Sequence, residues 1–331
     1  MRNNCMIKGV AYYHPEKKVD NDYFIEHFEK QGRNIRGLLK VTGRSSRYIS
    51  EDLNETIVTM GYAAAKEVLE KTYVKPSQLN MIVFSSGTPE YTSPTNALLV
   101  HSMLAAGQKC AVYDTNTNCA GMVTSFEQIA RVMRNNPDVK YALLLGSDQL
   151  NRYSRFNEAI SYSNFGDSAC AVLLENVFDT DRGFVDSDFY TNSSNHDKIL
   201  LPAKGMSRVV HTKDMDVKDK LIEWIEFDLG GAFFSAKISI EELLFKNNLT
   251  KKDIKRYYIS QFAKKNLENA CRDLDEDINK FVFIGDEYGY TGTTSPFLAY
   301  ANANDDLNTG DYIVFWTVGA GTTCVCVLYQ Y

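Results

Sequence analysis

No stretch of this 331-residue chain approaches the roughly 18 consecutive apolar residues that a bilayer crossing requires. Its opening residues, MRNNCMIKGVAYYHPEKK, lack the apolar core of a secretory signal. Together these absences predict a cytoplasmic protein with no membrane partner. The seven cysteines, at 5, 110, 119, 170, 271, 324 and 326, form an odd set without a single Cys-x-x-Cys pair. Neither a disulfide framework nor a zinc site is indicated. No Lys/Arg-rich run is present and the formal net charge is -6, which argues against nucleic acid as a partner. Low-complexity segments and linkers are also missing.

What remains is ordinary globular material. Hydrophobic residues make up 44% and charged residues 24% of the chain, and its length suits one large domain or two closely packed halves. Apolar strand-like runs alternate with amphipathic stretches. Residues 56–71, 94–106 and 120–135 read as helices, between the strands LNMIVFSSGT, KCAVYDTN, YALLLGSD and SACAVLLE. The second half repeats the theme. Residues 217–246 read as largely helical, RYYISQF as a strand and KKNLENACRDLD as a helix. DYIVFWTVGAG and TTCVCVLYQY read as two strands around a glycine turn, with Cys324 and Cys326 on one packing face. This order predicts an α/β fold with a largely parallel sheet and an internal duplication. Residues 176–215 are polar and read as an irregular bridge between the halves.

One short segment carries chemistry. In DTNTNCAGMV, Cys119 follows a strand and opens a helix, the place where an open α/β sheet presents functional residues. The positive end of the helix dipole is expected to lower the thiol pKa there. Ala120 and Gly121 leave room for a substrate to approach. The same spacing is equally compatible with a buried structural thiol, since free cysteine is among the most buried residue types.

Several segments together resemble beta-ketoacyl-ACP synthase III. They are TGRSSRYISEDLNETIVTMGYAAAKEVL, SSGTPEYTSPTNALLVHSML, DTNTNCAGMVTSFEQIA, YALLLGSDQLNR, NFGDSACAVLLE, GYTGTTSPFLAY and TVGAGTTCVCVLYQY, in order from about residue 6 to the end. The resemblance implies the thiolase fold, with two duplicated βαβαβαββ-type halves in a five-layered αβαβα arrangement. It places the halves at 1–175 and 176–331. It also implies a dimer joined through the strand KCAVYDTN. Cys119 falls on the family's acyl-accepting nucleophile, Gly319 with Gly321 on the oxyanion-hole loop, and Arg152 on an arginine of the cofactor entrance. Gly166 and Asp167 of NFGD match as structural residues.

The departures are as informative. The family's His-Gln-Ala-Asn motif corresponds here to Ser260, Gln261, Phe262 and Ala263, so only Gln261 is kept, and the resemblance implies it as a substrate-binding residue. Tyr290 stands where the family has its second catalytic asparagine. The five histidines are at 14, 27, 101, 196 and 211, so none can reach the lost position by a shift of alignment. His211 reads as a surface histidine. Gly37 and Val41 fall near the family's adenine-clamping Trp and Arg.

The resemblance therefore implies an acyltransferase of fatty-acid or polyketide-type specialised metabolism. It would load Cys119 from an acyl-CoA or acyl carrier protein thioester, without a permanently bound cofactor or metal and without efficient malonyl decarboxylation. The alternative is a non-catalytic subunit paired with an active ketosynthase homologue. The partner expectation is a homodimer or a heterodimer with such a homologue.

Overall fold

The computed structural model describes residues 3–228 and 230–331. Two mixed sheets face each other. The first runs, in spatial order, Asn4–Tyr13, Asp167–Val177, Tyr141–Gln149, Met81–Ser85 and Ala111–Thr115. The second runs Gly183–Thr191, Thr323–Gln330, Tyr312–Gly319 and Ile254–Ile259. A single bridge from Tyr257 to Phe281 stands where a fifth strand would follow. Chain order is the same across both sheets, so the second half repeats the first.

Helices Ile57–Thr72 and Asn96–Leu104 cover the outer face of the first sheet, where Val68 packs with Phe84 and Leu143. Helices Gly230–Lys246 and Lys264–Leu274 cover the second, where Ile240 and Leu267 meet Val314 and Cys326. Between the sheets lie Gly121–Asn135 and Ser295–Asn302. There Phe126 and Phe297 pack against Val83 and Leu144 of one sheet and Phe315 and Val327 of the other. The result is five layers, helix–sheet–helix–sheet–helix. Successive residues of a central strand serve opposite faces, and both faces are buried. This explains why the strands read as unbroken apolar runs. Cys324 and Cys326 share the outer face of their strand, with Val325 and Val327 on the inner one.

Three sequence expectations are corrected. The sheets are mixed rather than largely parallel. Met81–Ser85 runs parallel to both neighbours, and Ile254–Ile259 to Tyr312–Gly319; the other main pairings are antiparallel. The last strand of each half returns beside its predecessor without a full crossover helix, which alternation alone does not reveal. The polar segment 176–215 contains the strand Gly183–Thr191, which among the described residues pairs on one side only, with Thr323–Gln330. An edge strand tolerates the charged residues that made this segment read as irregular. Residues 217–246 are not one helix. A single turn at Val217–Asp219 leads to Glu223–Trp224, which pairs with Ile199–Leu200, and the helix begins at Gly230. Ile222, Trp224 and Phe227 line a cavity instead of forming a helical stripe.

Ala111–Thr115 is the other edge of the first sheet. Among the described residues the strand it pairs with is Met81–Ser85, and its residues are exposed or half-exposed. Among the described residues, no helix is long and apolar enough to cross a membrane.

Candidate active site

Cys119 lies in a one-turn helix, Asn118–Ala120, between the edge strand Ala111–Thr115 and the central helix Gly121–Asn135. Asn118 holds φ at 52°, in the left-handed region that asparagine tolerates better than most residues. Its N–H donates to Asn116 Oδ1 at 2.9 Å. Two glycines let neighbouring strand ends close on this turn. A Cβ on Gly121 would lie 1.9 Å from Ser85 Oγ, and one on Gly319 would lie 2.6 Å from the Thr117 carbonyl oxygen. Thr317 Oγ1 donates to the Cys119 carbonyl at 3.2 Å. Both halves therefore hold the cysteine.

The half-buried Cys119 opens onto a cavity of about 130 Å³. Gly87, Asp148 and Leu150 come to it from the first half, and Phe262, Tyr290 and Gly319 from the second. The cavity wall is mainly apolar. That environment reverses the expected pKa shift. Burial pushes the Cys119 thiol up to about 12, and the charge of Asp148 adds to the rise. Hydrogen bonding from the Tyr290 hydroxyl pulls the other way without cancelling it. Proximity to a helix N-terminus does not outweigh desolvation here.

Asp148 is itself buried, which raises its carboxyl, but it is fully engaged. Oδ1 accepts from Ser86 Oγ at 3.0 Å, Gly87 N at 2.8 Å and the Thr88 N and Oγ1 atoms at 3.2 Å. Oδ2 accepts from Thr293 N at 2.9 Å. Thr293 Oγ1 in turn receives the Met122 N–H at 2.8 Å, just beyond the cysteine. Asp148 thus ties three strand-end loops around Cys119. Held by five donors, its carboxylate positions these loops around the cysteine.

Tyr290 is 3% exposed. Its N–H donates to the Asn164 carbonyl at 2.9 Å, and its carbonyl accepts from Gly166 N at 3.0 Å. The ring meets Phe262 edge-on at 5.3 Å and Phe165 at 5.8 Å. Its hydroxyl interacts with the Cys119 thiol and with Ser260. Neither contact reaches full hydrogen-bond geometry, and Ser260 Oγ, fully buried just past the strand Ile254–Ile259, has no hydrogen-bond partner. The structure thus brings Cys119, Ser260, Tyr290 and Gly319 together. Tyr290→Phe keeps the ring and removes the one side-chain donor that favours the thiolate. A typical hydrogen bond contributes about 0.5–1.5 kcal/mol net, so the variant is expected to acylate or alkylate about 2- to 10-fold more slowly at fixed pH. Timed mass spectrometry of Cys119 modification, with thermal unfolding as the folding control, reads this.

Two other expected binding residues are committed elsewhere. Gln261 donates to the Ile259 and Val282 carbonyls at 2.8 and 3.0 Å and accepts from Ile284 N at 2.9 Å. It clamps backbone, with both side-chain donors taken up. Arg152 donates to Ser50 Oγ at 2.9 Å, the Asp52 carbonyl at 2.5 Å, the Glu55 carbonyl at 3.2 Å and Gln149 Oε1 at 3.1 Å. It secures the loop 50–55 and is absent from the cavity wall. Asp167 is buried and accepts from Ser50 N and Asn151 N at 2.9 and 3.0 Å, a structural role, as expected for NFGD. His211 is exposed on the short helix Met206–His211, and no histidine lines the cavity. Gly37 and Val41 are exposed on Arg36–Thr42.

Sequence reasoning missed Asp148, Trp224 and the role of Phe262 in the cavity wall. The bulk of Phe262 at the motif's alanine position was a readable signal. Trp224 carried none, because a short ribbon delivers it.

The sequence and the fold resemble known proteins. The profile for 3-oxoacyl-(acyl-carrier-protein) synthase III matches residues 113–193, and the profile for that enzyme's C-terminal region matches 244–331. Together they span more than half of the chain. The chain belongs to the ketoacyl-ACP synthase III family. Beta-ketoacyl-(acyl-carrier-protein) synthase III of Chlorobium phaeobacteroides is 26% identical over 324 residues, covering 96% of each chain. The Xylella fastidiosa protein of that name is 27% identical over 332 residues, covering 98% of each. Among solved structures, 3-oxoacyl-(acyl-carrier-protein) synthase III from Aquifex aeolicus superposes with a TM-score of 0.85 at 22% identity, covering 99% of this chain and 100% of that one. A priming β-ketosynthase of a polyketide biosynthetic pathway gives 0.87 at 18% identity, covering 99% and 96%. At these identities the superpositions establish the thiolase fold. Within this synthase III framework, a phenol meets the nucleophile position, and an unpartnered serine hydroxyl lies behind it.

Proposed function

We propose that this protein is an acyltransferase that takes an acyl group from a CoA or acyl carrier protein thioester onto Cys119. It then passes the group to an acceptor other than the carbanion of decarboxylated malonyl-ACP. The observation that carries this reading is the Cys119 thiol at the end of an apolar-walled cavity, with Tyr290 as its side-chain donor and no histidine in the wall. Sγ attacks the thioester carbonyl carbon and the carbon–sulfur bond of the donor breaks. The thiol proton leaves with the released thiol. The strand-end loop at Gly319 is suited to hold the carbonyl oxygen close to the turn that carries the cysteine. No resident cofactor takes part. A cytoplasmic setting in fatty-acid or polyketide-type metabolism, and a dimer formed through the free edge Ala111–Thr115, complete the reading.

One observation favours a second reading, an inert subunit of a hetero-complex: the same thiol is held near pKa 12 beside a tyrosine ring that fills the site. Intact-mass analysis after incubation with acyl-CoA separates the two. Acylation lost in Cys119→Ala supports the transferase. A wild-type thiol that stays unmodified at pH 9 supports the inert subunit.

A further inference from the structure

The wall of the cavity beside Cys119 is unusually rich in aromatic rings. Phe165, Trp224, Phe227, Phe233, Phe262 and Tyr290 all border it. Trp224 lies flat on Phe262, with centroids 5.3 Å apart and planes 9° from parallel. Phe227 stacks on Trp224 at 6.0 Å. Phe165 meets Trp224 at 6.2 Å and Tyr290 at 5.8 Å, and Phe262 meets Tyr290 edge-on at 5.3 Å. The rings thus brace one another into fixed walls. The space, about 130 Å³ and partly open to solvent, is slightly below the roughly 150 Å³ of a dry engineered cavity that takes up benzene.

Trp224 also borders a surface groove lined by Arg33, Arg155, Lys218 and Glu226. It stands between that groove and the space at Cys119. A long alkyl chain would have to displace the stacked Trp224–Phe262 pair. A single flat ring would not, and it would meet other rings at the 4.5–7 Å separations that aromatic pairs favour.

We propose that the cavity selects a thioester whose acyl group is one small planar ring, benzoyl in size, and that Phe262 and Trp224 are the specificity-determining residues. This rests on Cys119 being an acyl acceptor. In the step, the Cys119 Sγ–acyl carbon bond forms, the carbon–sulfur bond to CoA breaks, and the thiol proton ends on CoA. No oxidation or reduction occurs.

The test presents acetyl-CoA, benzoyl-CoA and octanoyl-CoA separately to the wild type, Phe262→Ala and Trp224→Ala, with intact mass followed over time. The expected result is benzoyl loading at least tenfold faster than octanoyl loading in the wild type, with that preference lost in either variant. Equal benzoyl and octanoyl rates in the wild type, or variants that retain the preference, overturn the proposal. If none of the three thioesters labels the protein, acyl transfer fails as the function. The selection is then read from binding alone, by titrating Cys119→Ala with methyl benzoate and methyl octanoate and following tryptophan fluorescence. Tighter binding of the benzoate ester upholds the selection, and equal or weaker binding overturns it. Thermal unfolding confirms that the variants are folded.

Discussion

Alkylation of Cys119 by iodoacetamide is expected to accelerate about tenfold per pH unit from pH 7 to 10, with no plateau near pH 8.5. The thiolate is the reacting species. An ordinary cysteine, with a pKa near 8.5, is a few per cent ionised at pH 7. With burial holding the thiol near 12, about one Cys119 in 10⁵ is ionised at pH 7. Each unit of rising pH multiplies that fraction by about ten until the pKa is approached. The rate at pH 7 should therefore lie about 1000-fold below that of a free thiol of comparable access, and the rise across three units should also be about 1000-fold. Peptide mapping is needed to isolate this site, because Cys110 is also half-buried, with its thiol raised to about 11. A curve that saturates below pH 9 would show that the helix N-terminus, rather than burial, governs the thiol.

The double variant Ser260→His with Tyr290→Asn is expected to gain malonyl-ACP decarboxylation by about 100-fold or more over the wild type. Loss of carbon dioxide leaves an enolate whose oxygen needs donors. Removing a single preorganised donor costs about 100- to 1000-fold. Ser260 Oγ is buried without a hydrogen-bond partner and offers no useful basicity. Tyr290 brings one hydroxyl, already engaged with the thiol. The paired exchange moves bulk from one side chain to the other, so the imidazole can enter space the phenol leaves. The single change Ser260→His keeps the Tyr290 ring and overpacks the site, at about 1–3 kcal/mol. It should lower stability without the gain. Carbon dioxide release from labelled malonyl-ACP, with urea unfolding of both variants and the wild type, measures both effects. A folded double variant with wild-type release would show that these two positions do not account for the missing step.

Much of the fold was legible because the central strands are buried on both faces and the helix Gly121–Asn135 keeps a strong apolar period through Met122, Phe126, Ile129 and Met133. Strand direction was not legible. The antiparallel returns depend on which neighbour a strand finds, and local composition carries no record of that. The polar edge strand Gly183–Thr191 was hidden for a related reason, since half of its surroundings are solvent.

In the site, the identities at 119, 260 and 290 were readable one by one against the family pattern. Their electrostatics were not. The thiol's upward shift comes from enclosure by residues remote in sequence and from the charge of Asp148. Gln261 and Arg152 show the opposite error. Their types suggest ligand contacts, yet their hydrogen-bonding capacity is taken up by backbone carbonyls and neighbouring side chains. Only the three-dimensional partners reveal that.

The central claim is that Cys119 accepts an acyl group while the decarboxylating half of the site is gone. The most direct measurement incubates wild type and Cys119→Ala with acyl-CoA and labelled malonyl-ACP at pH 8.5, and reads intact mass and carbon dioxide release together. The account predicts one acyl adduct on the wild type, none on Cys119→Ala, and release at background in both. An unmodified wild-type thiol, or rapid carbon dioxide release by the wild type, would contradict it.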